Sequence, residues 1–241
     1  MTKDKIFSKK KRRIEDFNFG GKTAAVFDDM LDRSVPYYAE IQRMIGEIAA
    51  DFAVEGTSVY DLGCSTGNTF LAMDPLLPKN IRFVGVDSSP EMLQKCREKL
   101  AAYGVKRPCR LVRADLNKPI AIQNASVVIL NLTLQFVRPL YRHRLIERIA
   151  LGTRKGGCLI VIEKVLSRDS TLNRFFINYY YAFKKRQGYS QLEISQKREA
   201  LENVLIPYRV EEDRELLLNG GFTQCDLFFK WYNFCGMVAV R

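Results

Sequence analysis

Ser58-Val59-Tyr60-Asp61-Leu62-Gly63-Cys64-Ser65-Thr66-Gly67-Asn68 is the stretch on which the reading of this chain turns. Its first half is a buried strand by pattern. Its second half is a turn whose glycines let the backbone come close to a ligand, and a helix to about Met73 follows. A dinucleotide-binding turn would carry G-x-G-x-x-G. Here Gly63-x-Ser65-x-Gly67 stands in its place, with Asp61 two residues ahead of the first glycine. Without the pyrophosphate fingerprint, the turn suits a ligand bearing an ammonium group, which Asp61 accepts directly or through water. A strand-to-helix turn that binds nothing is the competing reading of this segment taken alone.

Working outward, Ile81–Asp87 is a second strand, and Ser88-Ser89-Pro90-Glu91 opens a helix with a capping residue and a first-turn proline. Cys109–Arg113 is a third strand. Ala125–Leu130 is a fourth, almost wholly apolar, as a strand covered on both faces should be. A helix over Pro139–Leu151 and the pair Gly156-Gly157 lead into a fifth strand, Cys158–Glu163. Such alternation implies a parallel sheet with helices on both faces. Residues 167–206 interrupt it with two helical stretches around Gly188-Tyr189-Ser190. Strands at about 224–233 and 235–240 then end the sequence as a hairpin, adding an antiparallel strand. The predicted fold is therefore α/β, a Rossmann-like S-adenosylmethionine (SAM)-dependent methyltransferase fold. Its mostly parallel sheet has seven strands, with an antiparallel C-terminal hairpin strand. Residues 57–241 form this domain with the helical insertion 167–206, and residues 14–56 precede it as a helical lid whose longer helix Pro36 opens.

Asp61 has company at the other strand ends. Asp87 ends the second strand, 24 residues beyond Gly63. A carboxylate there can accept from both hydroxyls of a ribose. Asp115 follows the third strand, where it can accept the exocyclic amine of adenine. Asn131 ends the fourth. Ligands of open α/β sheets lie at the carboxyl ends of the strands. Four such residues in consecutive order favour SAM-type binding over a set of unrelated caps and turns.

Composition fits a folded domain: 241 residues, 47% hydrophobic and 27% charged. No apolar run approaches a membrane span, and the start MTKDKIFSKKKRR lacks the apolar region of a secretory signal, so a cytoplasmic location is expected. Six cysteines without a CxxC pair, and a single histidine, His143, read as reduced thiols rather than a metal site. The net charge is +11, and residues 1–13 hold seven basic side chains against Asp4. With only Phe7 available for base stacking, this run reads as a solvated, frayed terminus rather than an RNA-binding arm, and direct tRNA binding is not expected.

An acceptor-activating group is hard to find. Asn131-Leu132-Thr133-Leu134 replaces the proline-rich motif of amine methyltransferases. Cys109, the one cysteine after a proline, begins a strand. His143 sits among basic residues of a helix as a surface group. At this point the chain resembles the carboxy-S-adenosyl-L-methionine synthase family. The likeness rests on Val26-Phe27-Asp28-Asp29-Met30, Arg33-Ser34-Val35-Pro36-x-Tyr38, the strand and turn from Val59 to Ser65, and Leu130–Phe136. Above all it rests on Gly188-Tyr189-Ser190-x-Leu192-Glu193-Ile194-Ser195-Gln196-Lys197-Arg198 with Leu201–Val204.

The resemblance implies conversion of SAM and prephenate to carboxy-SAM and phenylpyruvate. The methyl would lose a proton to the hydroxide leaving prephenate, and the resulting ylide would capture the released CO2. It also implies a homodimer and a functional link to a tRNA carboxymethyltransferase that modifies the wobble uridine. By family match, Tyr38 contacts the ligand, and Gly63, Cys64 and Ser65 form the backbone cradle. Asp87 with Ser88 takes the ribose, Asp115 with Leu116 the adenine, and Asn131 a position near the sulfonium. Arg198 holds the added carboxylate, a task suited to a planar guanidinium. Ser88 and Leu116 depart from residues common in the family. The alternatives are a SAM-dependent tRNA methyltransferase, suggested by the charge, and a non-catalytic SAM-binding partner of a tRNA-modifying enzyme, suggested by the missing base.

Overall fold

Ala125–Asn131 is apolar on both faces, and in the computed structural model, which describes residues 2–241, it runs through the middle of a seven-stranded sheet. Ahead of the sheet come α1 (Gly21–Ala24), α2 (Phe27–Ser34) and α3 (Tyr38–Phe52). The strands are β1 (Ser58–Leu62), β2 (Arg82–Asp87), β3 (Cys109–Arg113), β4 (Ala125–Asn131), β5 (Thr153–Lys164), β6 (Gln224–Trp231) and β7 (Phe234–Val240). Their spatial order is β3-β2-β1-β4-β5-β7-β6. The first five strands pair in parallel, while β7 runs antiparallel to both β5 and β6. The connecting helices are α4 (Asn68–Met73), α5 (Pro90–Ala102), α6 (Pro139–Gly152), α7 (Ser170–Arg186), α8 (Gln191–Leu201) and α9 (Val210–Asn219).

The sheet divides the core in two. On one face Ile41, Ile45, Phe70, Met73 and Leu93 from α3, α4 and α5 pack on Val59, Phe83 and Ile129. On the other, Leu145, Ile146, Ile149 and Leu217 from α6 and α9 pack on Leu62, Val128 and Leu159. Burial at this scale, roughly 1.5–3 kcal/mol for each large apolar side chain, supplies the main drive to fold. Local signals set the helix starts. Ser89 accepts from Met92 N with Pro90 in the first turn, and Ser190 and Glu193 form a reciprocal capping box at α8. The strand order reverses between β1 and β4, which opens a crevice at their carboxyl ends.

The N-terminal region departs from expectation. Residues 14–20 are not helical, α2 and α3 are separate, and Pro36 does not open the longer helix: α3 begins at Tyr38, after Tyr37 in the left-handed region at φ 55°. The basic start is not frayed. Asp4 and Phe7 are 2% and 6% exposed. Asp4 N donates to Asp29, Tyr189 OH donates to Asp4, and Gln196 ties the carbonyls of Phe7 and Lys9 to α8. One acid and one aromatic buried among basic neighbours anchor the segment, while the lysines and arginines from Lys9 to Arg13 stay exposed. Met1, the first residue of that basic run, lies outside the described residues.

Candidate active site

Turns at the ends of β1 to β5, α2, α3, α7, α8 and the phenylalanines of the N-terminal segment enclose a cavity of about 500 Å³. That is within the range of small-molecule sites, roughly 300–1,000 Å³. It is lined by Tyr38, Gly63, Cys64, Ser65, Asp87, Ser88, Asp115, Leu116, Asn131 and Arg198. The ten residues to which the family resemblance gives binding roles therefore border one space. Asp61 does not line it; it lies beneath, 1% exposed.

At the end of β1, Gly63 has φ +83°, and a Cβ there would fall 2.4 Å from Thr133 Oγ1. Only glycine fits both constraints. Gly63 N and Cys64 N donate to Val86 O, and Ser65 N donates to Asp87 Oδ2. The cradle's amides are thus committed within the protein, and what it offers a ligand is close approach and carbonyl oxygens. Those acceptors suit an ammonium rather than a phosphate. Beneath them both carboxylate oxygens of Asp61 are buried without a hydrogen-bond partner. Burial, and then the neighbouring Asp87 charge, push the Asp61 carboxyl up to about 7.

Asp87 is braced from two sides, with Ser89 N at 2.9 Å from Oδ1 and Ser65 N at 2.9 Å from Oδ2. Burial raises its pKa, and backbone hydrogen bonds from Ser89, Ser65 and Ser88 oppose the rise. Each oxygen keeps a lone pair for a hydroxyl donor. Asp115 Oδ1 accepts from Asn117 N at 2.9 Å and from Asn117 Nδ2 at 2.8 Å, which leaves Oδ2 available. Asn131 Nδ2 donates to Thr69 Oγ1 at 3.3 Å, and its Oδ1 is buried and unpartnered. Tyr38 OH accepts from Gln42 at 2.8 Å and from Asn68 at 3.2 Å, so its own proton remains free to donate. Arg198, on α8, is exposed at the cavity and makes no ion pair among the described residues.

Sequence reasoning missed part of the wall. Phe19 packs edge-on against Phe17 and Phe136 at ring distances of 5.0 and 5.1 Å, giving an apolar side beside Leu116 and Val137. Lys164, Lys184 and Lys197 also line the cavity. Burial pulls their pKa values down to about 8, 7 and 8 respectively, and for Lys184 the charges of Lys197 and Lys164 add to the effect. Lys164 stands at the end of β5, so the strand-end rule that picked Asp87 and Asn131 could have found it. Lys184 and Lys197 carry no such signal. His143 is exposed on α6 beside Glu147, away from the cavity lining. Among the described residues no group of three His, Cys, Asp or Glu could hold a metal, and no helix is long and apolar enough to cross a membrane.

Comparison with known proteins places the fold and the family. Residues 59–157 match the methyltransferase domain family. An O-methyltransferase family protein from Burkholderia thailandensis superimposes with a TM-score of 0.67 at 15% identity, covering 91% of this chain and 60% of that one. Human N-acetylserotonin methyltransferase, solved in complex with SAM, gives 0.59 at 16% identity over 91% of this chain and 55% of its own. These likenesses establish the SAM-dependent methyltransferase fold. Among curated relatives, the carboxy-S-adenosyl-L-methionine synthase of Methylococcus capsulatus is 54% identical, covering 100% of both chains. That of Escherichia coli K12 is 40% identical over 99% of this chain and 97% of its own. The chain belongs to the carboxy-S-adenosyl-L-methionine synthase family.

Proposed function

We propose that this enzyme converts SAM and prephenate to carboxy-SAM and phenylpyruvate. The observation that carries the reading is an unpaired guanidinium, Arg198, on the wall of the same cavity as the strand-end acceptors Asp87, Asp115 and Asn131. An ordinary methyl donor has no anion for it to hold at that place. In this reading Asp87 with Ser88 accepts from the ribose, and Asp115 with Leu116 receives the adenine. The Gly63–Ser65 cradle, backed by Asp61, takes the ammonium. Tyr38 donates its free proton to the ligand, and Asn131 turns its unpartnered oxygen toward the sulfonium. Residues 14–56 act as the lid. Prephenate loses CO2 and hydroxide as its ring becomes aromatic. The hydroxide removes a proton from the SAM methyl and leaves as water, and the methylene carbon bonds to the CO2. Arg198 stabilises the carboxylate as it forms.

Incubation with SAM and prephenate, without tRNA, should yield phenylpyruvate, followed by its ultraviolet absorption, and a carboxylated nucleoside by mass. Methylated tRNA in place of phenylpyruvate would overturn the reading. Asp87→Ala should weaken SAM and carboxy-SAM by the same factor, about 1.5 kcal/mol for a lost charge-assisted hydrogen bond. Calorimetry with both ligands reads this directly, and unchanged affinity for both would remove Asp87 from the site. The product would then serve a tRNA carboxymethyltransferase at the wobble uridine. A homodimer has a candidate face in Phe175 and Tyr179 of α7 and Tyr232, all exposed, with the two tyrosine rings 4.9 Å apart.

A further inference from the structure

Beyond Asn131 the cavity continues past the end of β5, one strand spacing or ~4.8 Å farther along the sheet. The residues there were not chosen for binding adenosine or methionine. Lys164, Lys184 and Lys197 form a chain threaded by aromatic rings. Lys164 Nζ lies 5.0 Å and Lys184 Nζ 5.4 Å from the centre of the Tyr180 ring, while Lys184 and Lys197 each lie 5.6 Å from that of Tyr189. One buried acid serves this group: Asp4 sits 3.9 Å from Lys197 and also receives the Tyr189 hydroxyl. Arg33, 4.0 Å from the centre of the Tyr189 ring, is already paired with Asp29 at 3.1 Å. Lys164 and Lys184 take part in no ion pair among the described residues, although Lys184 is only 4% exposed.

A second observation points to the same place. Asn233 is 2% exposed and lines the cavity, yet neither its Nδ2 nor its Oδ1 has a hydrogen-bond partner among the described residues. Its backbone carbonyl accepts from Val165 N, which fixes it next to Lys164. Two unpaired lysines and an unsatisfied amide donor on one cavity wall are costly unless an anion completes them.

We propose that Lys164, Lys184 and Asn233 form a carboxylate-binding subsite for the second substrate and hold the carboxylate that is not transferred. The inference rests on the reading above. The carboxyl group to be transferred faces the SAM methyl and Arg198, and the carboxylate that stays on the departing keto acid lies on the β5 lysines. The SAM carboxylate is the other possible occupant. Its cradle, however, lies at β1, with β4 between it and Lys164.

The experiment uses the full chain with Lys184→Met, Lys164→Met and Lys184→Arg. Phenylpyruvate formation gives KM for prephenate. Calorimetry gives SAM affinity, and the affinity of SAM-loaded enzyme for prephenate and for phenylpyruvate, which retains the held carboxylate. Each Met variant should raise KM and weaken both acids about tenfold, the order of one charge-assisted bond. SAM affinity should stay within about twofold, and Lys184→Arg should recover part of the loss. Because methionine replaces a buried charge by an apolar chain of similar length, folding is expected to survive, and the two positions test the subsite independently. Turnover by wild type with unchanged KM and keto-acid affinity in both Met variants would overturn the subsite. Loss of SAM affinity in equal measure would do so too, and would give the lysines to SAM. A wild-type enzyme that binds prephenate through Lys184 but releases no phenylpyruvate would keep the subsite and remove the proposed reaction. No binding of either acid to wild type would remove both.

Discussion

Arg142→Met should lower the stability of the folded protein by about 3–5 kcal/mol, as expected when one member of a buried charge group is removed. Arg142 is 1% exposed and sits over the Tyr208 ring at 4.2 Å. It donates to Val137 O at 2.9 Å and to Ile206 O at 2.6 Å, so it ties the end of the α7–α8 insertion to the loop after β4. Its charge also offsets Glu163 and Asp213, both buried. Burial raises the pKa of each, Asp213 to about 7, and Arg142 opposes both shifts. Carboxyls with raised folded-state pKa values favour folding while protonated and lose that contribution as pH rises through the folded value. Without Arg142 the shifts grow, so the deficit should widen from about pH 5 to about pH 8. Urea unfolding at the two pH values reads both effects. A loss below about 1 kcal/mol at either would show that the cluster is not held by this charge.

Arg198→Ala should separate the two nucleosides. Carboxy-SAM should bind at least about 2 kcal/mol more weakly, a factor of roughly thirty, while SAM changes by less than about 1 kcal/mol. The lower end of the usual range applies because Arg198 is exposed before ligand arrives, so less desolvation is at stake. Arg198→Lys should recover only part of the loss, since an ammonium lacks the planar fork. Synthesis should slow as well, because the carboxylate forms during the reaction and its stabilisation lowers the barrier. Calorimetry with both ligands decides the matter. Equal weakening of SAM and carboxy-SAM would make Arg198 a structural residue.

Most of the sheet was legible because its strands announce themselves locally. Val127 to Leu130 can only be covered on both faces, and Gly63 and Asp87 fall at strand ends by simple counting. The segment before β1 was harder. Phe17, Phe19 and Asp4 owe their positions to partners far along the chain, and no local period encodes that. Arg142 reads as one charge of a basic helix face until Glu163 and Asp213 converge on it. Lys184 opens a Lys-Lys-Arg run and Lys197 precedes Arg198, both patterns of solvated helices. Only the packing of α7 against α8 and the N-terminal segment turns these two lysines inward.

The clasp of residues 4–11 on α8 bears on how the protein is made. Asp4 meets Tyr189 and Lys11 meets Gln196, each across 185 residues of sequence. At about 5–20 residues per second, the ribosome reaches the later partner roughly 10–40 s after the earlier one. Throughout that interval the segment has only its near neighbours, Phe17 for Phe7 and Asp29 for Asp4, and lacks its partners at Tyr189 and Gln196. The strands up to β5 are made before the clasp can form, and only β6, β7 and α9 follow α8. A fusion joined ahead of Asp4 would crowd this step and be felt at Lys197, the lysine that pairs with Asp4.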